Sequence, residues 1–314
     1  MAAPRARVRT FRGWPAVALA AGDLEAIFLP GLGMLGVSLR HRGREHLSLH
    51  GGLAAYAEGH TTGLPLLAPW ANRLAGFEYR IGHRVVRFGA GTPGVQLDPN
   101  GLPIHGTVSA RPWELVELSA SAEAAALAAR FPFGDHQDLL RSFPFPHELR
   151  IDALVTRERL RVTTSVVPTG RRAVPVSFGW HPYVRLPGVP RRELVVHLPA
   201  RRHLELDERM LPTGRARREP AEDIALVDRT LDDGYRLGRE RVLALSGRGQ
   251  RVELRLDRGY PFAQVYAPLG KPYVALEPMT APTNALVTGD HPTVPVGGCF
   301  SATFDVVVGG EVRP

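Results

Sequence analysis

Arg251-Val252-Glu253-Leu254-Arg255-Leu256-Asp257 decides the fold class of this chain. Apolar and charged residues alternate without a break, and successive side chains of a strand point to opposite faces. Val252, Leu254 and Leu256 therefore belong on a core, while Arg251, Glu253, Arg255 and Asp257 face solvent or a second sheet. The pattern recurs with Leu160, Val162, Thr164 and Val166 set against Arg161, Thr163, Ser165 and Val167, and again with Ala302, Phe304, Val306 and Val308. Turn signals separate these runs at Arg157-Glu158-Arg159, Gly214, Gly247-Arg248-Gly249 and Gly309-Gly310. With 33 Gly and 28 Pro, long helices have little room. The best helical candidate is the alanine-rich Ser121–Arg130, which could equally extend a strand over Trp113–Leu118, and Arg215–Glu222 reads as an exposed charged loop. The expected fold is all-β: a large antiparallel β-sandwich, one domain over 1–314, with about 1–13 a flexible tail.

Bulk properties exclude several function classes. The net charge of +8 invites a nucleic-acid reading, but Lys271 is the one lysine and the other 38 of 39 basic residues are arginines scattered among acids. A nucleic-acid footprint should form a patch or stripe, so no such partner is expected. Cys299 is alone, which rules out an intrachain disulfide and a cysteine-rich metal site. Trp14–Ala21 after several arginines faintly imitates a leader, yet the following Leu24–Phe28 alternates as a strand does. No run approaches the roughly 18 apolar residues that span a membrane. The chain reads as cytoplasmic, without a membrane partner, and as a monomer or homodimer.

Five separated segments each carry a polar or ionisable side chain fenced by aromatics, prolines and glycines. They are Leu66-Leu67-Ala68-Pro69-Trp70-Ala71-Asn72-Arg73, Ile104-His105-Gly106, Phe178-Gly179-Trp180-His181-Pro182-Tyr183, Leu231-Asp232-Asp233-Gly234-Tyr235 and Ala275-Leu276-Glu277-Pro278-Met279-Thr280-Ala281-Pro282. Each has a bland reading. A glutamate after a buried strand is usually a hydrogen-bonded strand end, a histidine among aromatics a core residue, two acids before glycine a turn. Together they offer a proton donor, a proton acceptor and flat apolar faces, which suits a polyhydroxylated ring. Asp135-His136-Gln137-Asp138 matches no compact metal motif, and Gly31-Leu32-Gly33 falls short of a dinucleotide fingerprint. No metal or cofactor is expected.

Taken together, the five segments resemble the aldose 1-epimerase (mutarotase) family from about Asp23 to Val308. The resemblance implies a many-stranded, galactose mutarotase-like supersandwich with a sugar site on one concave face, and interconversion of α and β anomers of a hexose. On the family's pattern, Glu277 in Glu-Pro-Met-Thr-Ala-Pro is the catalytic base and His181 in Gly-Trp-His-Pro-Tyr the general acid. Histidine suits that role, with an ordinary pKa near 6.5. Arg73, His105 and Asp232 would bind the sugar, Asp233 being the alternative to Asp232, and Asn72, Trp70 and Tyr183 would pack against or bond it. Where the family often has a second glycine after His-Gly, this chain has Thr107, which leaves the sugar open. Near-absence of lysine and of a glycine-rich cradle favours a neutral aldose over a hexose phosphate. A non-catalytic sugar-binding sandwich would not need both His181 and Glu277.

Overall fold

The computed structural model describes residues 3–310. Two large antiparallel sheets face each other, with a smaller five-stranded sheet beside them. The nine-stranded sheet runs in the order Glu114–Ala120, Ala125–Phe131, His147–Val155, Arg159–Pro168, Phe300–Gly310, Gln250–Leu256, Val242–Gly247, Val195–Leu198, Glu222–Ala225. The eight-stranded sheet runs Pro212–Glu219, Arg201–Leu206, Leu231–Leu237, Phe262–Ala267, Tyr273–Met279, Gly179–Trp180, Leu66–Leu67, and Tyr183–Arg185 also pairs with Tyr273–Met279. Among the described residues no helix is long and apolar enough to cross a membrane.

The alternation read in the sequence is what closes the core. Val252, Leu254 and Leu256 are buried, as are Leu160, Val162, Thr164 and Val166, and Ala302, Phe304 and Val306. Across the layer they meet the inward residues of the eight-stranded sheet, among them Tyr235, Val265, Val274, Leu276 and Trp180. Each such Val, Leu or Phe side chain removed from water contributes on the order of 1.5–3 kcal/mol. A one-residue slip of any strand would turn its apolar set outward, so the register of the site strands is fixed by this core.

Two local expectations are corrected and one open choice is resolved. Arg5–Phe11 is a strand and not a flexible tail: it pairs along its whole length with Trp14–Ala21 through a turn at Arg12-Gly13, both with positive φ. Met1 and Ala2, which fall in the expected tail, lie outside the described residues. Ser121–Arg130 is not a helix, because Leu127, Ala129 and Phe131 alternate into the core from the strand Ala125–Phe131. Burial on one face of a sheet overrides alanine's helix preference. Arg215–Glu222 is strand rather than loop, split between Pro212–Glu219 and Glu222–Ala225 in different sheets.

Candidate functional site

Tyr273–Met279 is buried throughout, and alternation sends Leu276 into the sandwich and Glu277 out of it. Glu277 is therefore not a strand end but a carboxyl set inside a strand, facing Gln264 of Phe262–Ala267 in register. His181 follows Trp180 where the chain leaves one short strand and enters the next, and its backbone N–H donates to Pro65 O at 3.0 Å. Its Nε2 lies 3.1 Å from Glu277 Oε1, with the two side chains 6% and 2% exposed. His181 stacks on Tyr183 at 4.4 Å between ring centroids and meets His105 edge-on at 5.5 Å.

Burial sets the electrostatics of this pair. It pushes the Glu277 carboxyl well above the usual range, and nearby Asp232 adds to that while Arg73 opposes it. It pushes the His181 imidazole well below 6.5, helped by His105. Each group thus resists charging by itself, and the pair holds one proton between them. His105 is kept neutral, lowered to about 3 by burial and by the Arg73 charge.

The loops that carry Arg73 and His105 are interlocked. His105 N–H donates to Asn72 O at 3.0 Å, and Ala68 bridges Gly106 in parallel. Gly106 is required there, since a Cβ would stand 2.0 Å from Ala68 O. Asn72 and His105 both occupy the left-handed region, φ 55° and 63°, a conformation that costs about 1–3 kcal/mol and persists where surroundings enforce it. Arg73 donates from Nε to Asp98 Oδ2 at 2.7 Å and from Nη1 to Asn72 Oδ1 at 3.1 Å. Asp98 is buried, and its Oδ1 accepts from the N–H groups of Asn100 and Leu102. Burial alone would raise its carboxyl, but the Leu102 N–H and Arg73 hold it low.

The structure brings His181, Glu277, Arg73, His105, Asp232, Asn72 and Tyr183 to one outward face of the eight-stranded sheet, with different duties. Asp232 lies within the strand Leu231–Leu237 rather than in a turn, and its Oδ1 accepts from Gln264 Nε2 at 2.7 Å. Asp233 turns the other way, to His203 Nε2 at 3.0 Å. Asn72 orients Arg73. Tyr183 shares a 2.7 Å hydrogen bond with Thr61 Oγ1 and reaches within 3.4 Å of His181 Nε2. Trp70 is corrected: it is fully buried and packs on Phe88 at 5.9 Å, so it presents no face to a ligand. Trp180 likewise sits in the core, donating from Nε1 to Thr164 Oγ1 at 2.9 Å.

Sequence reasoning missed Gln264, Tyr266, His50 and Asp98. Gln264 lies between Asp232 and Glu277, a polar residue 2% exposed in an otherwise apolar strand. That lone glutamine in Phe-Ala-Gln-Val-Tyr-Ala was the available signal. Tyr266 stands opposite Asp232, and His50 stacks on Tyr273 at 4.3 Å and meets Tyr183 edge-on at 4.2 Å. Tyr266 also meets the His181 ring, at 6.4 Å between centroids. Nothing local to His50 or Asp98 distinguishes them from surface residues.

Comparison with known proteins joins this geometry to a family. The model for the family described as aldose 1-epimerase matches residues 36–296. A galactose mutarotase-like protein from Clostridium acetobutylicum superposes with a TM-score of 0.87 at 19% identity, over 98% of this chain and 99% of that one. Galactose 1-epimerase from Lactobacillus acidophilus gives 0.78 at 15% identity, over 98% and 99%. The aldose epimerase homologue from C. elegans gives 0.72 at 17%, over 93% and 97%. At these identities the likeness is one of fold.

Proposed function

The chain belongs to the aldose 1-epimerase family, and from that premise we propose that it is an isomerase interconverting the α and β anomers of a hexose. The observation that carries this is the buried His181–Glu277 contact of 3.1 Å on the open face of the sheet. A structural ion pair gains little from such burial, whereas a proton donor and acceptor sharing one proton suit ring opening.

The chemistry is general acid–base catalysis. With the proton on His181, Glu277 takes the proton of the O1 hydroxyl while His181 Nε2 protonates the ring oxygen. The electron pair left on O1 forms the C1–O1 double bond as the C1–O5 bond breaks. Rotation about C1–C2 offers the other aldehyde face, and the same two transfers in reverse close the ring. Each positioned group contributes typically about 10²–10⁴-fold. Arg73 and neutral His105 would donate to the ring oxygen and neighbouring hydroxyls, and Asp232 would accept from hydroxyls with Gln264 holding it in place. Tyr266 and Tyr183 would cover apolar edges of the ring.

Polarimetry on freshly dissolved α-glucose and α-galactose tests this directly. The protein should speed the approach to the equilibrium rotation of at least one of them. A rate no faster than spontaneous mutarotation for both, and for other common hexoses, would overturn the proposal.

A further inference from the structure

Arg218, Arg202 and Arg236 form a row across three neighbouring strands of the eight-stranded sheet, Arg218 directly opposite Arg202 and Arg202 directly opposite Arg236. All three are exposed, and alternation puts them on the same outward face as Asp232, four residues before Arg236. Like charges directly opposite one another destabilise a sheet. Elsewhere this protein neutralises such contacts. Arg130 and Arg150 also oppose each other, and Glu148 binds both while Glu114 faces Arg130. Arg87 faces Glu78, and Arg161 faces Asp305. For Arg202, Arg218 and Arg236, no acidic oxygen lies within 4.0 Å among the described residues.

The row flanks a path that starts at the proposed active site. One step nearer to it, Glu277, Gln264 and Gly234 stand side by side, then Leu204 against Gly234 and Ala216 opposite Leu204. Gly234 contributes no side chain, so the path continues from Gln264 over Leu204 and Ala216. Leu204 and Ala216 give this path an uncharged floor, and the arginine row runs along one side of it. Arg236 lies over the Phe262 ring at 5.6 Å, which holds its guanidinium against the sheet and limits its freedom.

Resting on the reading of the site given above, we propose that this row binds an anionic group, carboxylate or phosphate, on the second unit of a saccharide whose reducing end lies at Glu277. At ordinary strand spacing the Cα of Arg236 is about 12 Å from that of Glu277, and Arg202 about 16 Å. Those distances suit the neighbouring unit rather than the sugar that reacts. Guanidinium groups are matched to the task, because they bind carboxylate and phosphate through two parallel N–H donors. An anion over the row also removes the opposed-charge repulsion that the protein alone does not neutralise.

The test uses three disaccharides with a reducing glucose: cellobiose, its analogue with glucuronate as the non-reducing unit, and its analogue phosphorylated on that unit. Binding is measured by calorimetry and turnover by polarimetry, on wild type and on Arg202→Gln and Arg236→Gln, at low and high salt, with glucose as control. At low salt at least one anionic disaccharide should bind wild type roughly tenfold more tightly than cellobiose. The advantage should shrink with added salt and vanish in Arg202→Gln, with glucose turnover unchanged. Preference for glucuronate or for phosphate identifies the anion. Equal binding of all three sugars, or an advantage that survives both substitutions, overturns the proposal, as does an inorganic phosphate effect that leaves the disaccharides equal. Loss of glucose turnover in wild type would instead count against the catalytic reading, since the binding comparison does not depend on it. Melting temperature guards against misfolding: removing Arg202 relieves two opposed pairs and should leave it unchanged or raised.

Discussion

Two junctions in this molecule handle buried polar groups in opposite ways. Where Arg159–Pro168 meets Phe300–Gly310 in the nine-stranded sheet, Arg161 grips Asp305 through two bonds of 2.7 and 2.9 Å, Thr163 bonds Thr303 and Ser165 bonds Ser301. These three cross-strand pairs are matched donor to acceptor, although Arg159 Nε on the same strand is buried without a hydrogen-bond partner among the described residues. Around Tyr273–Met279, Glu277 Oε2, His181 Nδ1 and His105 Nδ1 are buried without a hydrogen-bond partner among the described residues. A buried polar group left unpaired costs about 1–3 kcal/mol, and native proteins leave few of them. The first junction spends its polar groups on cohesion. On the function proposed above, the second leaves them free for a sugar.

The sharpest way to break this contrast is to alter the second junction and look for a loss of stability. Glu277→Gln and His181→Asn keep shape and delete one proton transfer each. Activity should fall about 10²–10⁴-fold in either variant, while the melting temperature should hold or rise, because a buried ionisable group has been replaced by a neutral one. Near wild-type anomerisation above the spontaneous rate in either variant would remove both residues from the mechanism.

The pH profile tests the same pair. The productive form carries one proton, on His181. Adding a second proton requires a buried imidazolium beside a neutral acid, and burial lowers the pKa for that step below 6.5. Losing the only proton leaves a buried carboxylate, and burial raises that pKa above 4.5. Taken one by one, a Glu277 base and a His181 acid would put Glu277 on the acid limb and His181 on the alkaline limb. The directions found here reverse those labels, and both limbs belong to the pair. kcat/KM should therefore fall at low pH with a midpoint below 6.5 and at high pH with a midpoint above 4.5. Residual activity of Glu277→Gln should lose the acid limb altogether, rising as pH falls until His181 is fully protonated. An acid limb centred above 6.5, or two limbs surviving in the variant, would contradict the shared-proton account.

A smaller effect is expected one shell out. Asp98→Asn keeps the Oδ1 acceptor for Asn100 and Leu102 N–H, and so keeps the turn, but removes the charge that pins Arg73 Nε. KM for the hexose should rise roughly tenfold, in line with a lost hydrogen bond between charged groups, with kcat changed less. An unchanged KM together with a lowered melting temperature would make Asp98 merely structural.

Legibility followed the same division. The nine-stranded sheet was readable because Val252, Leu254, Leu256 and Ala302, Phe304, Val306 repeat at a period of two with charges between them. His181, Glu277, Arg73 and His105 were readable because each sits in a short string whose prolines and glycines fix the backbone locally. The direction of a bulky ring was not. Trp70 and His105 come from equally distinctive strings, yet core packing buries the tryptophan completely and leaves the histidine only half-buried. Partners across strands were also hidden. Gln264 meets Glu277 only through register, and Asp98 meets Arg73 only through loop packing, so neither leaves a mark in its own neighbourhood. The choice between helix and strand left open over Ser121–Arg130 turns on a related point: alanine suits a helix, but Leu127, Ala129 and Phe131 have a sheet face to fill.

The smallest change is expected at the first junction, where function should be untouched. Asp305 is 5% exposed, while the side chain of Arg161 is about a third exposed at 34% and stays partly hydrated. Asp305→Ala strips the guanidinium of its bidentate acceptor without sealing it from water, so the cost lies well under that of a fully buried broken pair, about 1–2 kcal/mol. For a chain of this size each kcal/mol moves the melting temperature by roughly 2–4 °C. Thermal unfolding should show that shift, and polarimetry should show kcat and KM for the hexose at wild-type values. A clear drop in kcat with the fold intact would mean that the cohesive junction and the reactive one are coupled through the core, and the division of labour between the two sheets would have to be given up.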